Sequence, residues 1–158
     1  MGAPHSTSRS AVRLALVTSP HDAPPAAPTG VPAGLRLLRC LDRAVLETAR
    51  AVDLRPMELY ALLLLSDAPE DEAVTTRSLS ELLAASTSQA KQIALRLAAR
   101  GYVERSGPQG STRLTESGRD LAVAAGTRLE RTVARRLRRL EPAIVERGAT
   151  SLSALVAD

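Results

Sequence analysis

Several residue types on which folded proteins rely are scarce or missing from this chain of 158 residues. It has no Trp and no Phe, and its two tyrosines are Tyr60 and Tyr102. With 44% hydrophobic residues a core can still be buried, but it must be built mostly from Leu, Val and Ala. The single cysteine, Cys40, excludes an internal disulfide framework and a Cys-rich zinc site. Both histidines, His5 and His21, lie in a Pro-rich head, so the rest of the chain offers no Ser-His-Asp or Cys-His constellation. The longest unbroken apolar run, Leu59 to Leu65, is far too short to span a bilayer. The stretch from Ala11 to Val17 is short and interrupted by Arg13, a poor signal peptide. There is also no Gly-rich phosphate loop, and no carboxylate pair outside Glu70-Asp71-Glu72. Together these absences predict a reduced, cytoplasmic, soluble protein that is not an enzyme, with no metal, no cofactor and no membrane partner.

What is present is unevenly spread. Residues 1–76 carry seven Arg and nine acids, whereas residues 77–158 carry thirteen Arg, Lys91 and eight acids. The formal net charge is +4 and the sequence pI about 10.2. A basic pI with the positive charge gathered in one half is the electrostatic footprint of a chain that meets nucleic acid or another anionic surface. A merely solvated basic surface is the plainer reading of the same numbers.

Residues 1–30 hold five of the ten prolines, among Ser, Thr, Gly and Ala. Such a segment buries too little apolar surface to offset its ordering entropy, so it is expected to be disordered. From Leu35 onward apolar residues recur at three and four positions, through Leu37/Leu38, Leu41, Ala44/Val45, Ala49 and Val52. That spacing predicts an amphipathic helix of about twenty residues. Pro56 suits the first turn of a second helix, Met57 to Ser66, which is apolar nearly all round and should be buried. The acidic stretch Asp67 to Glu72 reads as a solvent-facing loop. A third helix is expected from about Arg77 to Ala85, with Thr75 or Thr76 as its cap.

Ser86-Thr87-Ser88-Gln89 has the form of a capping box, opening a fourth helix that runs to Arg100 and stops at Gly101. With only Ser86, Thr87 and Ser88 to separate them, the third and fourth helices form a helix-turn-helix pattern. The period then changes. Tyr102 to Arg105 and Ser111 to Leu114 read as two short strands of a hairpin. Thr115 caps a long helix with an apolar stripe at Leu121, Ala125, Leu129, Val133, Leu137 and Leu140, and Pro142 opens a final short helix. The predicted fold is mainly α-helical with a small β-hairpin wing.

Helix-turn-helix followed at once by a hairpin is a winged helix. On helix 87–100, Ala90, Ile93, Ala94 and Leu97 fall at core spacing, which turns Ser88, Gln89, Lys91, Gln92, Leu95 and Arg96 outward. Gln can pair bidentately with adenine, Lys and Arg with guanine or phosphate, and small Thr87 and Ser88 let backbone N–H groups approach a phosphate. Gln, Lys, Ser and Arg also cover ordinary polar helix faces, so it is the cap, the turn and the hairpin that favour double-stranded DNA as partner.

The run Leu79-Ser80-Glu81-Leu82-Leu83 through Ser86, then Arg96 to Arg105, then Leu114-Thr115-Glu116-Ser117-Gly118-Arg119, resembles the MarR family of bacterial regulators. In that family the end of the recognition helix commonly carries an Arg-Gly followed by a hydrophobic pair and Arg, and the next helix starts with Leu-Thr and a Gly-Arg. The resemblance covers roughly residues 35–158. It implies a homodimeric transcriptional regulator, typically a repressor on a pseudo-palindromic operator, with a small-molecule effector in some members. It further implies a dimerisation helix at 31–55, a winged helix-turn-helix domain at 56–118 and C-terminal dimerisation helices at 119–158. The DNA-facing residues carried over are Thr87, Ser88, Gln89, Lys91, Gln92 and Arg96, with Arg105 and Arg113 flanking the wing. One departure stands out: the wing is short, and Ser106 to Ser111 carries no charge, where the family usually has a longer wing with an Asp-x-Arg motif. That departure favours the rival reading, a winged-helix protein-interaction module that has lost or weakened DNA binding. Cys40, beside the first helix's stripe, reads as a small buried hydrophobe more readily than as an oxidant sensor. The cluster from Arg128 to Arg139 reads as a solvated, salt-bridged helix face.

Overall fold

A cap or a left-handed residue marks most boundaries between elements. The computed structural model describes residues 32–69, 72–107 and 110–156; the head expected to be disordered, Glu70 and Asp71 of the acidic loop, and Pro108-Gln109 at the wing tip lie outside them. In chain order the elements are α1 (Ala33–Ala51), α2 (Pro56–Ser66), α3 (Thr76–Leu82), α4 (Thr87–Ala99), β1 (Val103–Ser106), β2 (Ser111–Leu114), α5 (Glu116–Leu137) and α6 (Pro142–Val156). They belong to one unit, Val31–Asp158.

Three helices end in the same way. After α1, α3 and α4 a residue with positive φ reverses the chain, at Asp53 (54°), Ala84 (47°) and Gly101 (76°). Each time, the next residue's N–H reaches back to the carbonyl five residues earlier: Leu54 to Ala49 at 2.8 Å, Ala85 to Ser80 at 2.9 Å and Tyr102 to Leu97 at 3.0 Å. These are Schellman motifs, which satisfy carbonyls that would otherwise lack partners at a helix end. Gly101 is legible in the sequence as such a stop. Ala84 is not, because Leu-Ala-Ala reads as continuing helix; α3 therefore ends at Leu82 rather than near Ala85. The turn is accordingly Leu83 to Ser86, and α4 opens at Thr87, where the capping box at Ser86 predicts the helix to begin.

The core is aliphatic, as the lack of aromatics requires. Leu59, Leu62, Leu79 and Leu97 are fully buried, joined by Ile93, Ala90, Ala94 and Ala125. α2 sits centrally against α4 and α5, although Met57 and Tyr60 are exposed, so burial does not run all round this helix. α1 packs on α5 and α6, and α6 is a helix of 15 residues rather than a short one. On α5 the deepest burial falls at Ala122, Ala125 and Thr132, while Leu121, Leu129, Val133 and Leu137 are only half-buried.

β1 and β2 pair antiparallel, with Val103 opposite Leu114 and Ser106 opposite Ser111. Val74, ahead of α3, adds an isolated bridge to Thr112 through hydrogen bonds of 2.9 and 2.7 Å, which ties the hairpin to the start of the helix-turn-helix. At the other root of the wing, Thr115 caps α5 and its hydroxyl donates to the Gly101 carbonyl at 2.7 Å. α5 enters so closely that a Cβ on Gly118 would collide with the Tyr102 carbonyl.

Candidate nucleic-acid interface

α4 is positioned before it is decorated. Ser86 accepts a hydrogen bond from the Gln89 amide at 3.2 Å, and Gln89 Oε1 accepts one from the Ser86 amide at 3.1 Å, a complete capping box that satisfies two N–H groups of the first turn. Ala90, Ile93, Ala94 and Leu97 are buried against α2 and α3. Thr87, Ser88, Gln89, Lys91 and Gln92 are exposed, as is Leu95. A helix whose apolar face is held by the core and whose polar face is bare is one that can offer that face to another molecule.

The far end of α4 is also pinned. Arg100 donates to the Asp53 carbonyl and, at 3.1 Å, to Asp53 Oδ2, and its guanidinium lies 5.2 Å from the centre of the Tyr102 ring. Arg96 is not a bare outward residue. Its Nε donates to Glu58 Oε1 at 2.6 Å, and its side chain keeps only 39% of its exposure. Glu58 is buried, and its other oxygen accepts from the Arg55 amide at 3.0 Å, satisfying the N–H at the N-cap of α2. One carboxylate thus starts α2 and fixes Arg96. Arg50, Asp53, Arg55, Glu58, Arg96 and Arg100 line an open groove of about 540 Å³ between the α1–α2 junction and α4.

The wing side is arranged differently. The Arg105 side chain folds over Gly110 toward Thr76, and its Nε is buried without a partner. The Thr76 hydroxyl donates to the Gly110 carbonyl at 3.0 Å. Thr76, Thr87, Lys91, Arg105, Ser106, Gly107 and Gly110 line an open hollow of about 530 Å³. The structure therefore brings Thr87, Lys91 and Arg105 together on one concavity at the N-terminal end of α4, with Ser88, Gln89 and Gln92 on the adjoining helix face. Arg113 is exposed on β2, in register with Glu104. Thr76, which the sequence marks only as a candidate cap, also belongs to this hollow, and no local pattern shows that the wing folds back onto α3. The described part of the wing, Ser106, Gly107, Gly110 and Ser111, carries no charged side chain.

The Thr87 and Ser106 hydroxyls, an ammonium and a guanidinium on one concavity suit an anionic oxygen cluster such as a backbone phosphate. The neighbouring row of Gln and Ser side chains supplies donors and acceptors of the kind base edges require.

No protein-family model matches the sequence, and no curated protein sequence matches it. Solved structures do. The Mycobacterium tuberculosis MarR family protein Rv2887 aligns with a TM-score of 0.63 at 24% identity, over 77% of this chain and 88% of that one. The same protein in complex with DNA gives 0.62 at 24% identity, over 77% and 92%. CouR from Rhodococcus jostii RHA1, bound to p-coumaroyl-CoA, gives 0.62 at 22% identity, over 77% and 86%. At these identities the likeness establishes architecture: the chain has the mainly helical winged helix-turn-helix fold of these MarR family structures.

Proposed function

We propose that this chain is a MarR-like DNA-binding transcriptional regulator, a cytoplasmic repressor that acts as a homodimer on a pseudo-palindromic operator, and not an enzyme. The observation that carries the reading is the bare polar face of α4 beside the wing hollow. Thr87, Lys91 and Arg105 would hold backbone phosphates there, while Ser88, Gln89 and Gln92 read base edges and Leu95 meets a thymine methyl group. Arg113 flanks the same groove from the wing. Arg96 contributes by setting the helix against α2 rather than as a free cation. Architecture shared with a neighbour crystallised on DNA supports this assignment.

In this reading residues 31–55 and 119–158 form the dimerisation part and residues 56–118 the DNA-binding part. Leu35, Leu38 and Leu46 of α1 and Val123 of α5 are exposed in the single chain, apolar surface that a second copy would cover. Dimerisation places two α4 helices about one helical turn of DNA apart. A carboxylate effector entering the groove beside Glu58 would compete for Arg96 and Arg100 and so favour a different spacing of the two helices. None of the helices described is long and apolar enough to cross a membrane.

The test is fluorescence anisotropy with DNA from upstream of the chain's own gene. Gln92→Ala should weaken specific binding by about 1–3 kcal/mol, and Lys91→Ala should weaken binding to all sequences alike and lower the salt slope by about 1. Unchanged affinity in both would remove α4 from the readout. A second reading, a protein-interaction module, is favoured by the uncharged wing. Retention of a protein partner by a chain that shifts no upstream DNA would establish it.

A further inference from the structure

Beside the first half of α1 and the C-terminal end of α5, five arginines line one open basin. Arg36, Arg39 and Arg43 lie at helical spacing along α1, Arg136 is in the last turn of α5 and Arg139 in the turn that follows it; with Cys40 and Leu140 they line a basin of about 400 Å³. It shares no lining residue with the groove beside Glu58 or the hollow under the wing. Of these five, only Arg136 has a carboxylate partner among the described residues, Glu47, at 2.8 Å. Arg36, Arg39, Arg43 and Arg139 have none, and the Nε of Arg136 is buried without a hydrogen-bond partner. A sequence free to scatter its arginines would gain by separating like charges, because each close pair costs Coulomb energy. Water and salt screen much of that repulsion at Arg36, Arg39, Arg43 and Arg139, which are exposed, and an anion in the concavity would offset the remainder. Guanidinium forks match the oxygens of a phosphoryl group bidentately, and several forks facing each other suit more than one such group.

We infer that this basin is a binding site for a small, multiply charged, phosphate-bearing anion, separate from the DNA face. Cys40, the chain's only cysteine, forms part of its wall and so serves as a built-in reporter of occupancy.

The experiment titrates the full chain with sodium tripolyphosphate at constant ionic strength, by isothermal calorimetry. In parallel, alkylation of Cys40 by iodoacetamide is followed by intact mass. One saturable site per chain is expected, with alkylation slowed as it fills. The double variant R39Q/R139Q removes two exposed arginines that have no carboxylate partner, so its thermal melt should match the parent. It should bind about a hundredfold more weakly, near tenfold for each charge-assisted hydrogen bond removed. Lys91→Gln, on the DNA face, should bind tripolyphosphate like the parent. The inference is overturned by absence of a saturable site, as when a second copy of the chain closes the basin. It is overturned equally if R39Q/R139Q binds like the parent, if Lys91→Gln carries the loss instead, or if saturating tripolyphosphate leaves Cys40 alkylation unchanged.

Discussion

Glu58 and Gly118 show how single residues decide the geometry of the site. Helical spacing alone turns Arg96 outward, and 39% of its side chain is indeed exposed. Its carboxylate partner lies thirty-eight residues earlier, on the buried side of α2, and no local pattern announces it. Gly118 is visible in the sequence only as part of a motif, and its reason lies in space: α5 starts hard against the Tyr102 carbonyl. Backbone cannot move aside as a flexible side chain can. Gly118→Ala should therefore destabilise the fold by about 1–3 kcal/mol, the usual cost of overpacking. It would be read as a lower urea midpoint with an unchanged m-value. A midpoint equal to the parent's would mean that α5 can shift freely at its root.

At the scale of elements, α4 is the most legible part of the chain. The capping box at Ser86 and Gln89, the buried Ala90-Ile93-Ala94-Leu97 face and the Gly101 stop all follow from local chemistry, and the structure shows each. For α3 local chemistry predicts too long a helix because alanine is the best helix former, whereas Ala84 adopts a left-handed conformation held by hydrogen bonds from Ala84 to Glu81 and from Ala85 to Ser80. An L-residue with a Cβ pays for that conformation, and glycine does not. Ala84→Gly should stabilise the protein by about 1 kcal/mol, less the extra entropy glycine has in the unfolded chain. Thermal unfolding of the variant checks this, and a lowered midpoint would contradict it. The hairpin strands lie within a residue of the bounds that the sequence predicts, but the bridge from Val74 to Thr112 joins segments far apart in the chain and has no local signal.

For the whole molecule, charge and its partners govern behaviour. If α4 and the wing hollow meet a duplex, log K should fall by about 0.9 per phosphate contacted for each tenfold rise in salt. Binding to upstream DNA insensitive to salt between low and physiological concentration would exclude that mode. Within the chain, Glu47 of α1 holds Arg135 and Arg136 of α5. The hydrogen bond from Arg136, aided by Arg135 and opposed by desolvation, keeps the Glu47 carboxyl below its ordinary 4.5. A depressed folded value means that the contribution is fully present above the ordinary value and is lost as pH falls from there through the folded one. Stability of the parent should therefore decline more steeply than that of Glu47→Gln on acidification below about pH 4.5, as followed by urea unfolding across pH. Parallel curves would show that the pair does not couple α1 to α5.

The sequence by itself determined an aliphatic core, the succession of helices and hairpin, and a polar face on α4, because caps, periodicity and turn residues act over a few neighbouring positions. Tertiary structure alone decided that Arg96 is tethered to Glu58, that Arg105 folds back over Gly110 toward Thr76, and that arginines from α1 and α5 share one basin. Those arrangements depend on which side chains meet when distant helices pack, and burial brings together charges whose separation along the chain carries no signal.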